Sequence, residues 1–247
     1  MVAACTLTAY GWSLTAYSCL SPESQSGSET AILGEVMKSF LHRFRAEGMS
    51  LERIATFSDG VFAIIVTILV LELRVPHLDD PHNTRELAKA LAGLMPKFLS
   101  WVASFLYVCV FWIHHHYIFR IARAADRGLV WLNNLFLLCH SFIPFPTALI
   151  GDYPKNPLAV SFFGVVLLVN ALAIIAVHAY VVRNLLADGE DRSAEWKHSR
   201  RSFQGPVLFG FGAVLAWVAP TVSLVLYLVI PILFILPRDP VTPGKGG

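Results

Sequence analysis

Apolar positions along this chain gather into six long runs separated by short polar breaks, spanning roughly 55–73, 97–118, 129–150, 158–181, 205–219 and 222–237. A helix needs about 20 mostly apolar residues to cross the hydrocarbon core of a bilayer, so each run predicts a membrane-spanning helix. The last two runs are short and joined by Ala219-Pro220-Thr221, which predicts a tight helical hairpin or, alternatively, one long kinked helix. Pro144 and Pro146 interrupt the third run near its end. Proline removes a backbone donor from an inner helical turn, so a bend is expected there, with the freed carbonyls satisfied by neighbouring helices. The predicted fold class is all-α, a polytopic membrane protein of six transmembrane helices. Residues 50–237 form that domain, between an extension, 1–49, and a short tail, 238–247.

Composition agrees with this pattern and removes other classes. Of 247 residues, 55% are hydrophobic and only 15% charged, with a mean hydropathy of +0.60. A soluble domain usually carries about 25% charged residues. A net charge of +2, without a basic arm, excludes nucleic acid as a partner. Cys5, Cys19, Cys109 and Cys139 have no disulfide or metal spacing, and the two inside apolar runs read as small core hydrophobes.

Charge sets the expected orientation. With the N-terminus in the cytoplasm, the inside segments 1–54, 119–128, 182–204 and 238–247 hold 14 of the 19 lysines and arginines. Among them are Arg120, Arg123, Arg127, Lys197, Arg200 and Arg201. The positive-inside rule therefore predicts that both termini are cytoplasmic. In the extension, residues 1–20 lack the basic start of a signal peptide. Leu33, Met37, Phe40, Leu41 and Phe44 fall along one face over 31–46, compatible with an interfacial helix. The alternative is a poorly ordered extension, or a first methionine that lies upstream of the true start at Met37 or Met49.

The chemistry concentrates where the first run opens, at Arg53-Ile-Ala-Thr-Phe57-Ser58-Asp59-Gly60. A carboxylate at membrane depth costs about 2.5–3.5 kcal/mol on insertion scales, so Asp59 must meet protein or water. At about 100° per residue, Arg53, Phe57, Gly60, Ile68 and Leu71 fall within about 40° of Ile64, and Thr67 within about 60°. Ser58 and Asp59 point away from this stripe. Trp112, His115 and His116 in the second run offer donors for them. An Asp59–histidine contact is expected as a structural lock, with an ion ligand or proton relay as the other reading of Asp59. Consecutive residues His114, His115 and His116 diverge on a helix, whereas helical zinc pairs use i, i+4 spacing. No metal or cofactor site is assigned. Asn133, Asn134, His140, Ser141, Asn170 and His178 read as interhelical hydrogen-bonding groups. No hydrolase, metalloprotease or phosphate-loop motif occurs, so an enzyme is not expected.

The run Arg53-x-x-x-Phe57-Ser58-Asp59-Gly60 opening an apolar helix resembles the signature of the transmembrane protein 175 family of potassium channels. Trp112-x-x-His115, Leu132-Asn133 and Ser141-Phe-Ile-Pro-Phe-Pro continue the resemblance, which covers about residues 50–237. It implies a six-helix protomer assembled as a homotetramer in the cell membrane, like the prokaryotic members, and it implies K⁺ as the permeant ion. It also implies a pore lined by the first helix, narrowest at Ile64, with further layers at Ile68 and Leu71 and a pore-proximal threonine at Thr67. The runner-up class is a proton- or cation-coupled transporter using Asp59 and the intramembrane histidines.

Overall fold

The computed structural model describes residues 50–235, so both the expected interfacial helix at 31–46 and the tail 238–247 lie outside the described residues. Helix α1 runs Leu51–Leu69 and ends in a 3-10 turn, Val70–Glu72. There follow α2 (Thr84–Gly93), α3 (Met95–Ile121), α4 (Arg127–Ser141), α5 (Pro144–Asp152) and α6 (Pro157–Asn184). The last three are α7 (Arg192–Ser202), α8 (Gln204–Leu215) and α9 (Pro220–Ile235). The described residues contain helices and one isolated bridge, Ala122 to Leu186.

Four segments are long and apolar enough to cross a membrane: Leu51–Glu72, Met95–Ile121, Arg127–Asp152 and Pro157–Asn184. The expected fifth and sixth spans are the shorter apolar helices α8 and α9, which pack on each other as a hairpin. The third span breaks at Phe142 and Ile143, where Pro144 starts α5 at a position that needs no backbone donor. Ser104 and Thr147 hydroxyls, 2.7 Å apart, tie α5 to α3.

Helix α6 is the central post, touching α3, α4, α5, α7, α8 and α9. At its α8 and α9 side, Tyr227 lies against Gly164 and Gly212, and a methyl group at either glycine would overlap the phenol ring. Tyr107 on α3 donates to the Tyr227 carbonyl at 2.7 Å. Helix α1, by contrast, packs on one side only, against α3, α4 and the start of α5.

Two helices arise in segments read as loops. Asn83 caps α2 by accepting from Glu86 N–H, and Glu86 Oε1 accepts from Asp79 N–H in return. Asp191 begins α7, accepting from Ser193 N–H at 2.8 Å; that bond holds its carboxyl below the usual carboxylate range. Glu195 on α7 is buried, and accepts from Tyr117 Oη at 2.7 Å while lying 3.3 Å from His178 Nε2.

Candidate functional site: the first helix and its anchor

Ser50 caps α1, its hydroxyl accepting from Arg53 N–H at 3.3 Å. Along one side of the helix Ile54, Ser58, Phe62, Ile65 and Leu69 are buried. This spacing of three and four residues is what a helix needs to press one face into a core. The opposite side is uncovered in the protomer. Phe57 is 61% exposed, Ile64 59%, Ile68 41% and Leu71 70%, and Arg53, Gly60 and Thr67 are exposed with them. Thr67 Oγ1 donates to the Ile64 carbonyl at 2.8 Å. Its proton is thereby committed to the helix, and its lone pairs remain available outward.

A relay of hydrogen bonds anchors the packed side. Ser58 Oγ donates to the Ile54 carbonyl at 2.9 Å, and Asn133 Nδ2 donates to Ser58 Oγ at 2.9 Å. The Asn133 carbonyl oxygen then faces His115 Nε2 at 2.8 Å. Because that oxygen only accepts, the relay requires His115 to carry its proton on Nε2. Ser58 and Asn133 are fully buried and His115 nearly so. One helical turn on, the Phe62 ring sits between His115 and His140, at centroid distances of 5.4 and 4.8 Å. His140 Nδ1 is 3.0 Å from Asn170 Oδ1, and Asn170 donates to the Cys139 carbonyl.

Asp59 has a different partner from the one expected. Trp112 Nε1 donates to Asp59 Oδ1 at 2.8 Å, and His115 goes to Asn133 instead. Neighbouring helical residues diverge by about 100°, so Ser58 reaches α4 while Asp59 turns toward the exposed Trp112 on α3. The indole N–H is a donor only, and it passes no proton between Asp59 and the histidines. The histidine run also diverges: His114 stacks edge-on near His178, His115 is buried, and His116 is exposed beside Trp112. The residues that sequence reasoning missed are Glu195 and its partner Tyr117, which are 78 positions apart and show no local pattern.

Several apolar helices and a buried polar relay at the start of the first one define a multi-pass α-helical membrane protein. Residues 53–144 match the family model described as endosomal/lysosomal potassium channel TMEM175. A relative from Chamaesiphon minutus, called a potassium channel, is 34% identical over 189 residues, covering 74% of this chain and 93% of that protein. The human protein called endosomal/lysosomal proton channel TMEM175 is 34% identical over 128 residues, covering 50% of this chain and 25% of that one. The crystal structure of a lysosomal potassium-selective channel TMEM175 homolog from Chamaesiphon minutus superposes with a TM-score of 0.67 at 31% identity, covering 74% of this chain and 95% of that one. This chain belongs to the TMEM175 family, whose members are channels rather than enzymes.

Proposed function

We propose that the chain is a subunit of a potassium-permeable channel, with α1 from four copies lining the pore. One geometric observation supports this reading most strongly. The α1 stripe from Arg53 to Leu71 is uncovered along its length, while the opposite face is held by packing and by the Ser58–Asn133–His115 relay. A single helix encloses no path, so the stripe needs copies of itself around an axis.

In this reading Ile64 forms the narrowest ring, followed by Ile68 and Leu71. These apolar rings gate or select by dewetting and by the cost of stripping hydration water. Thr67 oxygens return part of the lost coordination. Ser58 and His115, with Asp59 and Trp112, belong to the frame that sets the rotation of α1, whereas Arg53, Phe57 and Gly60 lie on the uncovered stripe at its opening end. Residues 50–237 constitute the channel domain and cross the cell membrane six times, with both termini in the cytoplasm. K⁺ is the assigned ion because relatives carry that name; an apolar ring has no intrinsic preference among monovalent cations.

Purified full-length chain in planar bilayers tests the reading. Unitary currents that reverse near the K⁺ potential under bi-ionic K⁺/Na⁺ conditions are expected. Saturable flux without unitary steps would replace the channel with a coupled transporter. A reversal potential that follows a pH gradient instead would assign protons, the ion in the name of the human relative.

A further inference from the structure

The linkers after α3 (122–126) and after α6 (185–191) run side by side at one end of the bundle. They are joined as a miniature antiparallel ladder. Arg123 N–H donates to the Leu185 carbonyl at 2.9 Å, and Ala187 N–H to the Ile121 carbonyl at 3.0 Å. Gly189, at φ +96, turns the second linker back, a conformation that side chains disfavour. The turn leaves an open cavity of about 250 Å³ whose lining includes Arg123, Asn184, Asp188, Glu190 and Arg192. Among the described residues, none of these four charged side chains has an ion-pair partner. No residue of α1 contributes, so the cavity stands apart from the proposed pore.

Its depth and its charge pattern together select a ligand. The lining takes in Asn184, the last residue of α6, and Arg123, two residues past the end of α3 at Ile121. The apolar runs of these two helices end near 118 and 181, which puts the cavity at the level of lipid headgroups rather than of hydrocarbon. A simple anion there meets the carboxylates of Asp188 and Glu190. A simple cation meets two guanidinium groups. A zwitterion carrying a phosphodiester and a primary ammonium satisfies both pairs. Guanidinium groups chelate phosphate oxygens with two parallel bonds. An ammonium donates to carboxylates, which a trimethylammonium lacks the protons to do. We propose that this cavity is a headgroup site for an ethanolamine phospholipid, with the phosphate on Arg123 and Arg192 and the ammonium on Asp188 and Glu190. The Asn184 amide supplies one more donor to the phosphate. A bound lipid then bridges the two linkers and so couples the ends of α3 and α6.

The test uses full-length protein, stripped of lipid in detergent and reloaded from vesicles with equal parts of ethanolamine, choline and glycerol phospholipids. Retained lipid is counted by native mass spectrometry. The ethanolamine lipid should be retained at least about tenfold over the choline lipid, as loss of a charge-assisted hydrogen bond implies. The double change Arg123→Gln and Arg192→Gln should abolish that excess. A second variant, Asp188→Lys with Glu190→Lys, should instead transfer the preference to the anionic glycerol lipid; all four side chains are exposed, so neither variant disturbs the packed core, and unchanged melting curves check this. Equal retention of ethanolamine and choline lipids overturns the proposal, as does retention unaffected by the arginine changes. Preference of the unaltered protein for the glycerol lipid would make this a generic basic patch. Displacement of the lipid by free phosphoethanolamine at matched concentration would make the ligand a soluble one.

Discussion

Phe62 and Ile64 stand two positions apart on α1 and meet opposite surroundings. Phe62 is 3% exposed, held between the His115 and His140 rings, whereas Ile64 is 59% exposed. In a bilayer the alternative surroundings of the Phe62 ring are lipid rather than water, so it holds α1 by close packing between the two histidine rings, and the Ser58 relay adds directional bonds on the same side. Together they determine which face of α1 is left over, and that face is the one proposed to line a pore.

Assembly is the first consequence. One protomer supplies one such stripe, so conduction requires several copies around a common axis. Mass photometry or native mass spectrometry in nanodiscs should find a species of four chains, each of 27.3 kDa. A sample that conducts while containing only single chains would remove α1 as the pore helix.

Asn133 should matter more than its neighbour. It gives a proton to Ser58 and takes one from His115, all three buried. Asn133→Ala strands two buried groups, at a cost of about 1–3 kcal/mol each. Asn134, partly exposed on the next face, serves as the control. Thermal unfolding in detergent should drop clearly for Asn133→Ala and little for Asn134→Ala; equal shifts would mean that the relay contributes nothing specific.

The direction of Ser58 was legible in the sequence, because the helical wheel turns it away from the Ile64 stripe, and it is buried while Phe57, Ile64, Ile68 and Leu71 are exposed in the protomer. The packed face itself was not, because Ile54, Phe62, Ile65 and Leu69 are no more apolar than the stripe opposite. The partner of Asp59 was not, because a helical wheel gives direction but not which of Trp112, His115 and His116 lies across the gap. Helix α2 was hidden by its polarity, although Asn83 and Glu86 form a capping pair that marks its start. Glu195 was hidden more deeply. It sits in a strongly basic segment that reads as solvated, and only the tertiary fold brings Tyr117 and His178 to it.

Asp59 and Trp112 form an exposed pair, so their bond should contribute modestly. Asp59→Ala is expected to cost about 0.5–1.5 kcal/mol, the net worth of one hydrogen bond, and to leave K⁺ over Na⁺ permeability unchanged. Trp112→Phe, which removes only the donor, should reproduce most of that loss. A change in reversal potential with unaltered stability would instead make Asp59 an ion ligand.

Ile64 and Ile65 provide the most stringent comparison, because they share chemistry and differ only in direction. If four Ile64 side chains form the narrowest ring, each ion sheds water there, and that step limits conduction. Ile64→Asn supplies amide dipoles and favours wetting, so unitary current should rise and selectivity should loosen. Ile65 is 3% exposed and packed into the core. Ile65→Asn buries an amide without a partner, at a cost of about 1–3 kcal/mol, so it should lower thermal stability and leave unitary conductance in the surviving channels nearly unchanged. Recording both variants in the same bilayers, beside detergent melting curves, separates the outcomes. Equal conductance changes would move the constriction away from Ile64. A larger current through the Ile65 variant would rotate the pore face of α1 by about one residue, and Ile64, Ile68 and Leu71 would then give way to positions on the adjacent strip.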